Sequence, residues 1–319
     1  MKITIISLDN WGFNKYIAVA LKANGHKVNH IDFNKFKYTY PSFFHRIYNF
    51  LLKAFFRKNL KTKFHGKKII ERLKELDEIQ DVILTIKGDH IDLKTLKELK
   101  NYTKKSIAFF NDNTSRCPKI IPAIPLFDKV YSFEKADCKK YNLNFCTNWI
   151  YNFNPDAVVP ENFDYKVFNI TSMDRKRLPT ISRIAKELKL KQLAYKIIIY
   201  DRKKTATDRN LQFISKKLPL DEVNEYIEKS QSLLDIHRKG QQGLTFRVFE
   251  SLGLQKKLIT TNSDVKNYDF YNPNNILVID ENKPEVPVSF FETRYEKIPD
   301  DIIHRYFVAN WAEQLIKDL

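Results

Sequence analysis

Short runs of apolar residues alternate along the chain with longer segments whose apolar positions recur at helical spacing. Such runs are typical of strands buried in a parallel sheet, and a repeat every third or fourth residue is typical of a helix with one buried face. In the first half, this pattern predicts strands at residues 2–8, 27–33, 81–87, 106–110 and 129–133, and helices at 14–24, 67–78, 93–102 and 134–141. In the second half, it predicts strands at 166–171, 195–200, 232–236, 257–261 and 275–279, and helices at 178–188, 220–229 and 299–319, with a turn that leads into a helix at 242–252.

A polar stretch with two prolines separates the two halves. Residues 151–164 read Y-N-F-N-P-D-A-V-V-P-E-N-F-D, without periodicity, and are predicted to be a linker. A chain of 319 residues is long enough for two domains with separate cores. The prediction is an α/β protein of two Rossmann-like, doubly wound domains with an interdomain cleft. The expected divisions are an N-terminal domain at 1–155, a C-terminal domain at 156–300 and a terminal helix at 301–319.

The composition excludes several classes of protein. Hydrophobic residues make up 43% of the chain and charged residues 29%, which indicates a globular and not a disordered protein. No apolar run is long enough for a transmembrane helix, and the first residues, M-K-I-T-I-I-S-L-D-N, predict a strand and not a signal peptide, so we expect a cytoplasmic protein.

Three cysteines, Cys117, Cys138 and Cys146, lack metal-ligand spacing and predict free thiols. The scattered histidines complete no metal site, so none made by side chains alone is expected.

The net charge of +17 is concentrated in residues 45–74. There, apolar positions recur at helical spacing (Ile47, Phe50, Leu51, Ala54 and Phe55). The basic residues around them are Lys53, Arg57, Lys58, Lys61 and Lys63. One interpretation is a helix that binds the surface of an anionic membrane, and the other is a core-packed helix whose basic side is solvated.

The segment 242–261 reads Q-G-L-T-F-R-V-F-E-S-L-G-L-Q-K-K-L-I-T-T and combines a glycine turn, an amphipathic helix and a strand. Gly243 allows close approach of the backbone to a ligand, and the helix N-terminus offers N–H groups to a phosphate. Arg247 is able to pair with phosphate, and Glu250 is able to accept hydrogen bonds from vicinal hydroxyls. This layout suits a phosphorylated, sugar-like ligand. The alternative is an ordinary turn with a surface Arg and Glu.

Polar and basic residues also follow two other predicted strands of the second half. Thr171 and Ser172 are expected to contact a diphosphate, and Arg175 or Arg177 to neutralise its charge, with Arg177 preferred. The alternative for this turn is an exposed basic segment that begins the next helix. His237 follows the strand at 232–236, where it either binds phosphate or has a structural role.

On these residues the chain resembles the GT-B glycosyltransferases. Many retaining members carry a frame like E-G-F-G-x-x-x-x-E-A-x-A-x-G, matched here by Gln242, Gly243, Leu244 and Thr245 and then by Glu250-Ser251-Leu252-Gly253. The resemblance implies that Glu250 binds the ribose of a nucleotide sugar and that the Gly243 turn faces its sugar or phosphates. Gln242 departs from the frame, because an amide cannot supply the negative charge of the first Glu.

The whole chain is also similar to bacterial glycosyltransferases of lipopolysaccharide and capsule assembly, including the CgeB-like group. The similarity lies in M-D-R-K-R at 173–177, in G-L-T-F-R-V-F-E and in L-I-T-T-N-S-D-V-K-N-Y-D-F-Y-N-P-N-N-I. It implies that the terminal helix crosses back to pack on the first domain. It also implies that the first domain supplies the acceptor site. Asp112 and Asp9, each at a predicted strand end, are the candidates for a general base, or else ordinary cap and turn residues.

The predicted function is therefore metal-independent transfer of a hexosyl or other glycosyl group to a lipid-linked or polysaccharide acceptor. The nucleotide sugar is a substrate, and no cofactor is expected. We expect a peripheral protein at the inner face of the membrane, without a specific nucleic-acid partner. One alternative is a nucleic-acid-binding protein, which the charge favours but which lacks a recognisable motif. The other is a non-catalytic envelope-assembly protein, which Gln242 favours.

Overall fold

The structure, a computed structural model, describes residues 1–56, 58–153 and 162–317. These residues form two compact units, one of Met1–Thr147 with Val308–Leu319 and one of Asn148–Phe307. The predicted domain boundary at 155/156 falls in residues 154–161, and so lies outside the described residues, as do Arg57 and the last two residues of the predicted terminal helix.

The first unit is built on a six-stranded parallel sheet. Its strands are β1 (Lys2–Ser7), β2 (Lys27–Asp32), β3 (Gln80–Ile86), β4 (Thr103–Phe110), β5 (Lys129–Ser132) and β6 (Asn144–Phe145). They are arranged in the order β2-β1-β3-β4-β5-β6. The helices between them are α1 (Lys15–Ala23), α2 (Phe43–Phe56), α3 (Leu60–Glu75), α4 (Leu93–Glu98) and α5 (Lys135–Tyr141).

The second unit repeats this plan. Its strands are β7 (Tyr165–Ser172), β8 (Tyr195–Tyr200), β9 (Gln212–Ile214), β10 (Ser230–Asp235), β11 (Lys257–Thr260) and β12 (Ile276–Val278). They form a second parallel sheet in the order β12-β11-β10-β7-β8-β9. Its helices are α6 (Leu178–Leu190), α7 (Leu220–Glu228), α8 (Phe246–Gly253) and α9 (Asp300–Ile303).

The apolar strands are buried because helices cover both faces of each sheet. In β10, Leu233 packs with Val248 of α8 in one core, while Leu234 packs with Ile184 of α6 in another. Successive strand residues point to opposite faces, so α8 and α6 cover opposite sides of the second sheet. Hydrophobic runs without alternation predicted this arrangement, whereas the short edge strands β6 and β9 were not predicted.

The predicted terminal helix at 299–319 is wrong as a single element. After α9 the chain forms a short 3-10 turn, and Phe307 then adopts extended backbone (φ −65°, ψ 142°) before α10 (Val308–Lys317) begins. The break has a tertiary cause, because Ile150 N–H donates to the Tyr306 carbonyl at 2.7 Å and Ile150 forms a bridge with Phe307.

Within the first unit, α10 is held by its tryptophan and by a glutamate. Trp311 Nε1 donates to the Thr147 carbonyl at 2.7 Å and its ring meets Phe109 edge-on at 5.0 Å. Glu313 accepts from His26 at 2.9 Å. Among the described residues, no helix combines the length and apolar character that crossing a membrane requires.

Candidate functional site

Three neighbouring strands of the second unit end at one edge of the sheet, and most of the predicted donor residues lie there. Since β7, β10 and β11 are adjacent and parallel, their carboxyl ends lie side by side. Thr171 and Ser172 end β7, and His237 follows β10 by two residues. Helix α8 begins nine residues after His237, at Phe246. Ligands of doubly wound sheets bind at this edge.

A buried carboxylate, Asp235 at the end of β10, joins α8 to this edge. The Thr245 hydroxyl donates to Asp235 Oδ1 at 2.7 Å, and the Thr260 hydroxyl donates to Oδ2 at 2.9 Å. Thr245 also caps α8, because its Oγ1 accepts from the Arg247 N–H at 3.1 Å. Asp235 therefore fixes the start of the helix at the strand ends. Sequence reasoning missed it, although an acid at the end of the apolar run S-L-L-D was a possible signal.

Arg247 and Glu250 form a buried ion pair one turn apart on α8. Arg247 Nη1 donates to Glu250 Oε2, and the side chains are only 15% and 6% exposed. The Tyr151 hydroxyl donates to the other oxygen, Oε1. The Arg247 guanidinium also lies 5.9 Å from the centroid of the Phe168 ring. The interpretation of a surface Arg and Glu is thus wrong, and each oxygen of Glu250 already accepts one hydrogen bond within the protein.

Tyr151 is a second residue that sequence reasoning missed, because it lay in the predicted linker. It is buried, and its neighbours along the chain also bind the α8 region. Asn148 Nδ2 donates to the Leu244 carbonyl at 2.8 Å, and Trp149 meets Phe246 edge-on at 4.7 Å. The segment before the predicted linker therefore packs against the start of α8.

Arg177, the preferred partner of a donor diphosphate, cross-links β7 and β10. Its Nη2 donates to Thr171 Oγ1 at 3.0 Å, and its Nη1 donates to the Ile236 carbonyl at 3.2 Å. Arg175 is exposed and, with Ser172, lines a surface depression whose wall includes the basic Arg202 and Lys203. The structure thus places Arg175, and not Arg177, on the more accessible surface.

Asp174 organises the basic side chains around this turn. Its carboxylate contacts Arg177 Nε at 3.5 Å and accepts from Arg238 at 2.5 Å. Burial raises the pKa of Asp174, but the Lys176 amide and the two arginines outweigh burial, so its pKa lies below the ordinary value. The carboxylate therefore stays charged and holds both arginines near the strand ends.

The remaining predicted donor residues lie in the loop from β10 to α8. Gln242 is exposed, whereas Gly243 and Leu244 are buried. Asn262, two residues after β11, donates to the Gln242 carbonyl at 3.0 Å. The positive φ of this loop lies at Gly240 (78°).

His237 is oriented by the strand end next to it. Its Nδ1 lies 2.7 Å from the Thr261 hydroxyl, which also accepts from the His237 backbone N–H at 3.1 Å. This double contact fixes the half-buried ring beside β11.

In the first unit, the two candidate bases already have partners. Asp9 accepts from the Lys15 N–H at 3.1 Å and so satisfies an amide at the start of α1, although the N-cap position itself is Asn14. Asp112 accepts from Lys87 at 2.6 Å and from Arg116. Since β3 lies between β1 and β4, the structure does not bring the two aspartates to adjacent strand ends.

Asp89 and His90, which sequence reasoning did not single out, follow β3 at this intervening position. His90 Nε2 lies 3.7 Å from Asp89 Oδ2, and the Asp89 side chain is 11% exposed. Burial lowers the pKa of His90 more than Asp89 raises it, so its pKa lies below the ordinary value. Among the described residues, no group of three or more His, Cys, Asp or Glu side chains is placed to hold a metal ion.

Comparison with known proteins identifies the fold. No protein-family model matches the chain, and neither does any curated protein. Solved structures match along the whole length. A trehalose-phosphate synthase (UDP-forming) from Burkholderia xenovorans is 10% identical, with a TM-score of 0.57 and 100% of both chains covered.

Two further structures agree. An alpha-glucosyltransferase in complex with UDP-glucose and DNA is 13% identical, with a TM-score of 0.55 and coverage of 100% of this chain and 94% of that chain. The lipopolysaccharide outer core galactosyltransferase WaaB is 11% identical, with a TM-score of 0.51 and 100% of both chains covered. The predicted fold class is therefore confirmed: two Rossmann-like parallel sheets with flanking helices form the α/β fold of the GT-B glycosyltransferases.

Proposed function

We propose that this protein is a glycosyltransferase of lipopolysaccharide or capsule biosynthesis, similar to the CgeB-like group. It would move a sugar from a nucleotide-sugar donor to a lipid-linked or polysaccharide acceptor. The observation that carries the proposal is the arrangement of three adjacent strand ends around the start of α8, with the Arg247–Glu250 pair on that helix. Structures of the same fold include a UDP-forming trehalose-phosphate synthase, an alpha-glucosyltransferase in complex with UDP-glucose and a galactosyltransferase.

In this proposal the second unit binds the donor. The positive end of the α8 dipole attracts the diphosphate, and Arg175 adds positive charge. Glu250 accepts the ribose hydroxyls through the lone pairs that Arg247 and Tyr151 leave unused, since a carboxylate has about four acceptor positions. The helix dipole and Arg175 stabilise the negative charge of the nucleoside diphosphate as the bond to the sugar breaks, so the proposed reaction needs no metal ion.

The proposed acceptor lies in the first unit. An inverting reaction requires a carboxylate or imidazole that takes the proton of the acceptor hydroxyl. Asp9 and Asp112 remain the predicted candidates, but each would have to exchange its present partners for the acceptor. A retaining reaction would need neither aspartate as base.

Thermal unfolding in the presence of nucleotides tests the donor site. One class of nucleoside diphosphate or nucleotide sugar is expected to raise the Tm, because a ligand at about 100 times its Kd stabilises the native state by about 2.7 kcal/mol. Glu250→Gln should weaken the effect of compounds that contain ribose, whereas Glu75→Gln, on α3, should not. Absence of stabilisation by every nucleotide class, or an equal shift in Glu250→Gln, would contradict the proposal.

A non-catalytic protein with a retained fold is the second candidate. It is favoured by Gln242 and by the existing partners of Asp9 and Asp112. Release of nucleoside diphosphate from the bound donor, measured with and without acceptor-bearing membranes, separates the two. An enzyme releases the diphosphate faster when acceptor is present, while the non-catalytic protein binds the donor and leaves it intact.

A further inference from the structure

Helix α2 exposes its apolar side chains to solvent. Eight large hydrophobic residues of this helix are more than 40% exposed: Phe43, Phe44, Ile47, Tyr48, Phe50, Leu51, Phe55 and Phe56. The interpretation of a core-packed helix with a solvated basic side is therefore wrong for α2. A continuous exposed apolar surface of this kind marks a site of interaction with another molecule or with a membrane.

The polar side of α2 is bonded to the chain segments that directly precede and follow the helix. Asn49 is 1% exposed, and its Nδ2 donates to the Tyr40 hydroxyl at 2.7 Å. Its Oδ1 accepts from the Leu60 N–H at 2.8 Å. With 3.6 residues per turn, Ile47 and Leu51 lie on the opposite side of the helix from Asn49. The orientation is thus the reverse of an ordinary surface helix, and a polar anchor leaves the aromatic side facing outward.

The chain around α2 is basic and contains no acid. Residues 33–70 include ten Lys and Arg residues and no Asp or Glu. The exposed ones in the described residues after Asn49 include Lys53, Lys58, Lys61 and Lys63. Aromatic residues beside lysines are the composition of helices that lie in the interface of an anionic bilayer. A second copy of the chain would bring two surfaces of the same charge together, and a nucleic acid would leave the aromatic side uncovered.

We propose that α2 inserts its aromatic face into the interfacial layer of an anionic membrane while the neighbouring lysines contact the lipid headgroups. The apolar side chains supply burial, and the acid-free segment supplies attraction to the surface. This inference narrows the acceptor to a lipid-linked one, and only that narrowing rests on the proposed function. Insertion of α2 stands without it.

Flotation with lipid vesicles tests the insertion. The probes are vesicles of phosphatidylcholine alone and of equal parts phosphatidylcholine and phosphatidylglycerol. The chain should bind the anionic vesicles, and the triple variant Phe44→Ser, Phe50→Ser, Phe55→Ser should lower the bound-to-free ratio by at least about tenfold.

The matched control removes three exposed apolar side chains elsewhere, in Val19→Ser, Leu190→Ser, Val288→Ser, and should change the ratio less than about twofold. These positions are 61%, 70% and 46% exposed, so the control variant also loses exposed apolar side chains, but not from α2. Equal binding by the two triple variants would overturn the proposal.

A second pair of variants tests the charge. Lys53→Glu, Lys58→Glu should reduce binding to anionic vesicles by about tenfold or more, whereas Lys94→Glu, Lys97→Glu on the exposed side of α4 should not. Equal binding of the unmodified chain to neutral and anionic vesicles would overturn the proposal. So would a dimer of the unmodified chain that binds no vesicles and that the Phe→Ser triple variant converts to a monomer. Binding to DNA without any binding to vesicles would also overturn it.

Nucleotide binding by the same variants separates this inference from the proposed function. The Phe→Ser triple variant should keep the nucleotide-induced rise in Tm of the unmodified chain. Vesicle binding without any nucleotide effect would refute the donor site and leave the insertion of α2 supported. A nucleotide effect without vesicle binding would refute the insertion of α2 and leave the donor site supported.

Discussion

Glu250→Gln is the substitution that probes the buried ion pair most directly. The Glu250 side chain is 6% exposed, and its two oxygens accept one hydrogen bond each, from Arg247 and from Tyr151. Glutamine has nearly the same volume but no charge, and it presents only one acceptor oxygen. Arg247, whose side chain is 15% exposed, is then left without its counter-ion.

The size of the effect follows from burial. Removing one partner of a buried ion pair destabilises a protein by about 3–5 kcal/mol, because the remaining charge is uncompensated. Glutamine keeps one hydrogen bond and leaves no cavity, so we expect the lower end, about 3 kcal/mol. The control is Glu75→Gln, since Arg72 and Glu75 have the same helical spacing in α3 but are each 59% exposed. There the expected loss is only a few tenths of a kcal/mol.

The assay is urea unfolding of a double-mutant cycle that combines Glu250→Gln with Arg247→Met. A parallel cycle uses Glu75→Gln with Arg72→Met. Fluorescence and circular dichroism should be followed together, because a chain with two compact units need not unfold in one step. A coupling energy for Arg247 and Glu250 as small as that of the exposed pair would refute the reasoning, since it would mean that the carboxylate is solvated.

Three further predictions concern packing and titration. Gly253→Ala should lower the free energy of unfolding by about 2 kcal/mol, measured in urea, because its Cβ would lie 2.5 Å from Ile150 Cγ2; no loss would show that the neighbouring segment is free to move. Burial lowers the pKa of Lys256 to about 8, so the native state binds fewer protons than the unfolded state from about pH 8 to 10.5, and the free energy of unfolding should rise over that interval. Lys256→Met should reduce this rise, and an unchanged pH profile of stability would contradict the burial of Lys256. Burial raises the pKa of Cys138 to about 11 and of Cys146 to about 12, so a thiol reagent at pH 8 should modify both slowly until urea unfolds the chain, and rapid modification of the native protein would argue against burial.

The local pattern of the chain was enough to predict the two parallel sheets and the composition of α8. Strands such as β1 are buried on both faces and therefore appear as uninterrupted apolar runs. Arg247 and Glu250, three residues apart, were predicted to lie on one helix because 3.6 residues make a turn. These features depend only on neighbours within a few positions, and so the sequence contains them directly.

The partners of these residues were decided by tertiary structure. Tyr151 reaches Glu250 from a segment that looked like a linker, and Phe307 leaves the helical path because the backbone beside it bonds to Ile150. The periodicity of α2 predicted an apolar face but fitted both burial and exposure, and the contacts of Asn49 decided between them. Periodicity describes which residues share a face, whereas burial depends on which distant segment, if any, covers it. Long-range contacts alone supply that information.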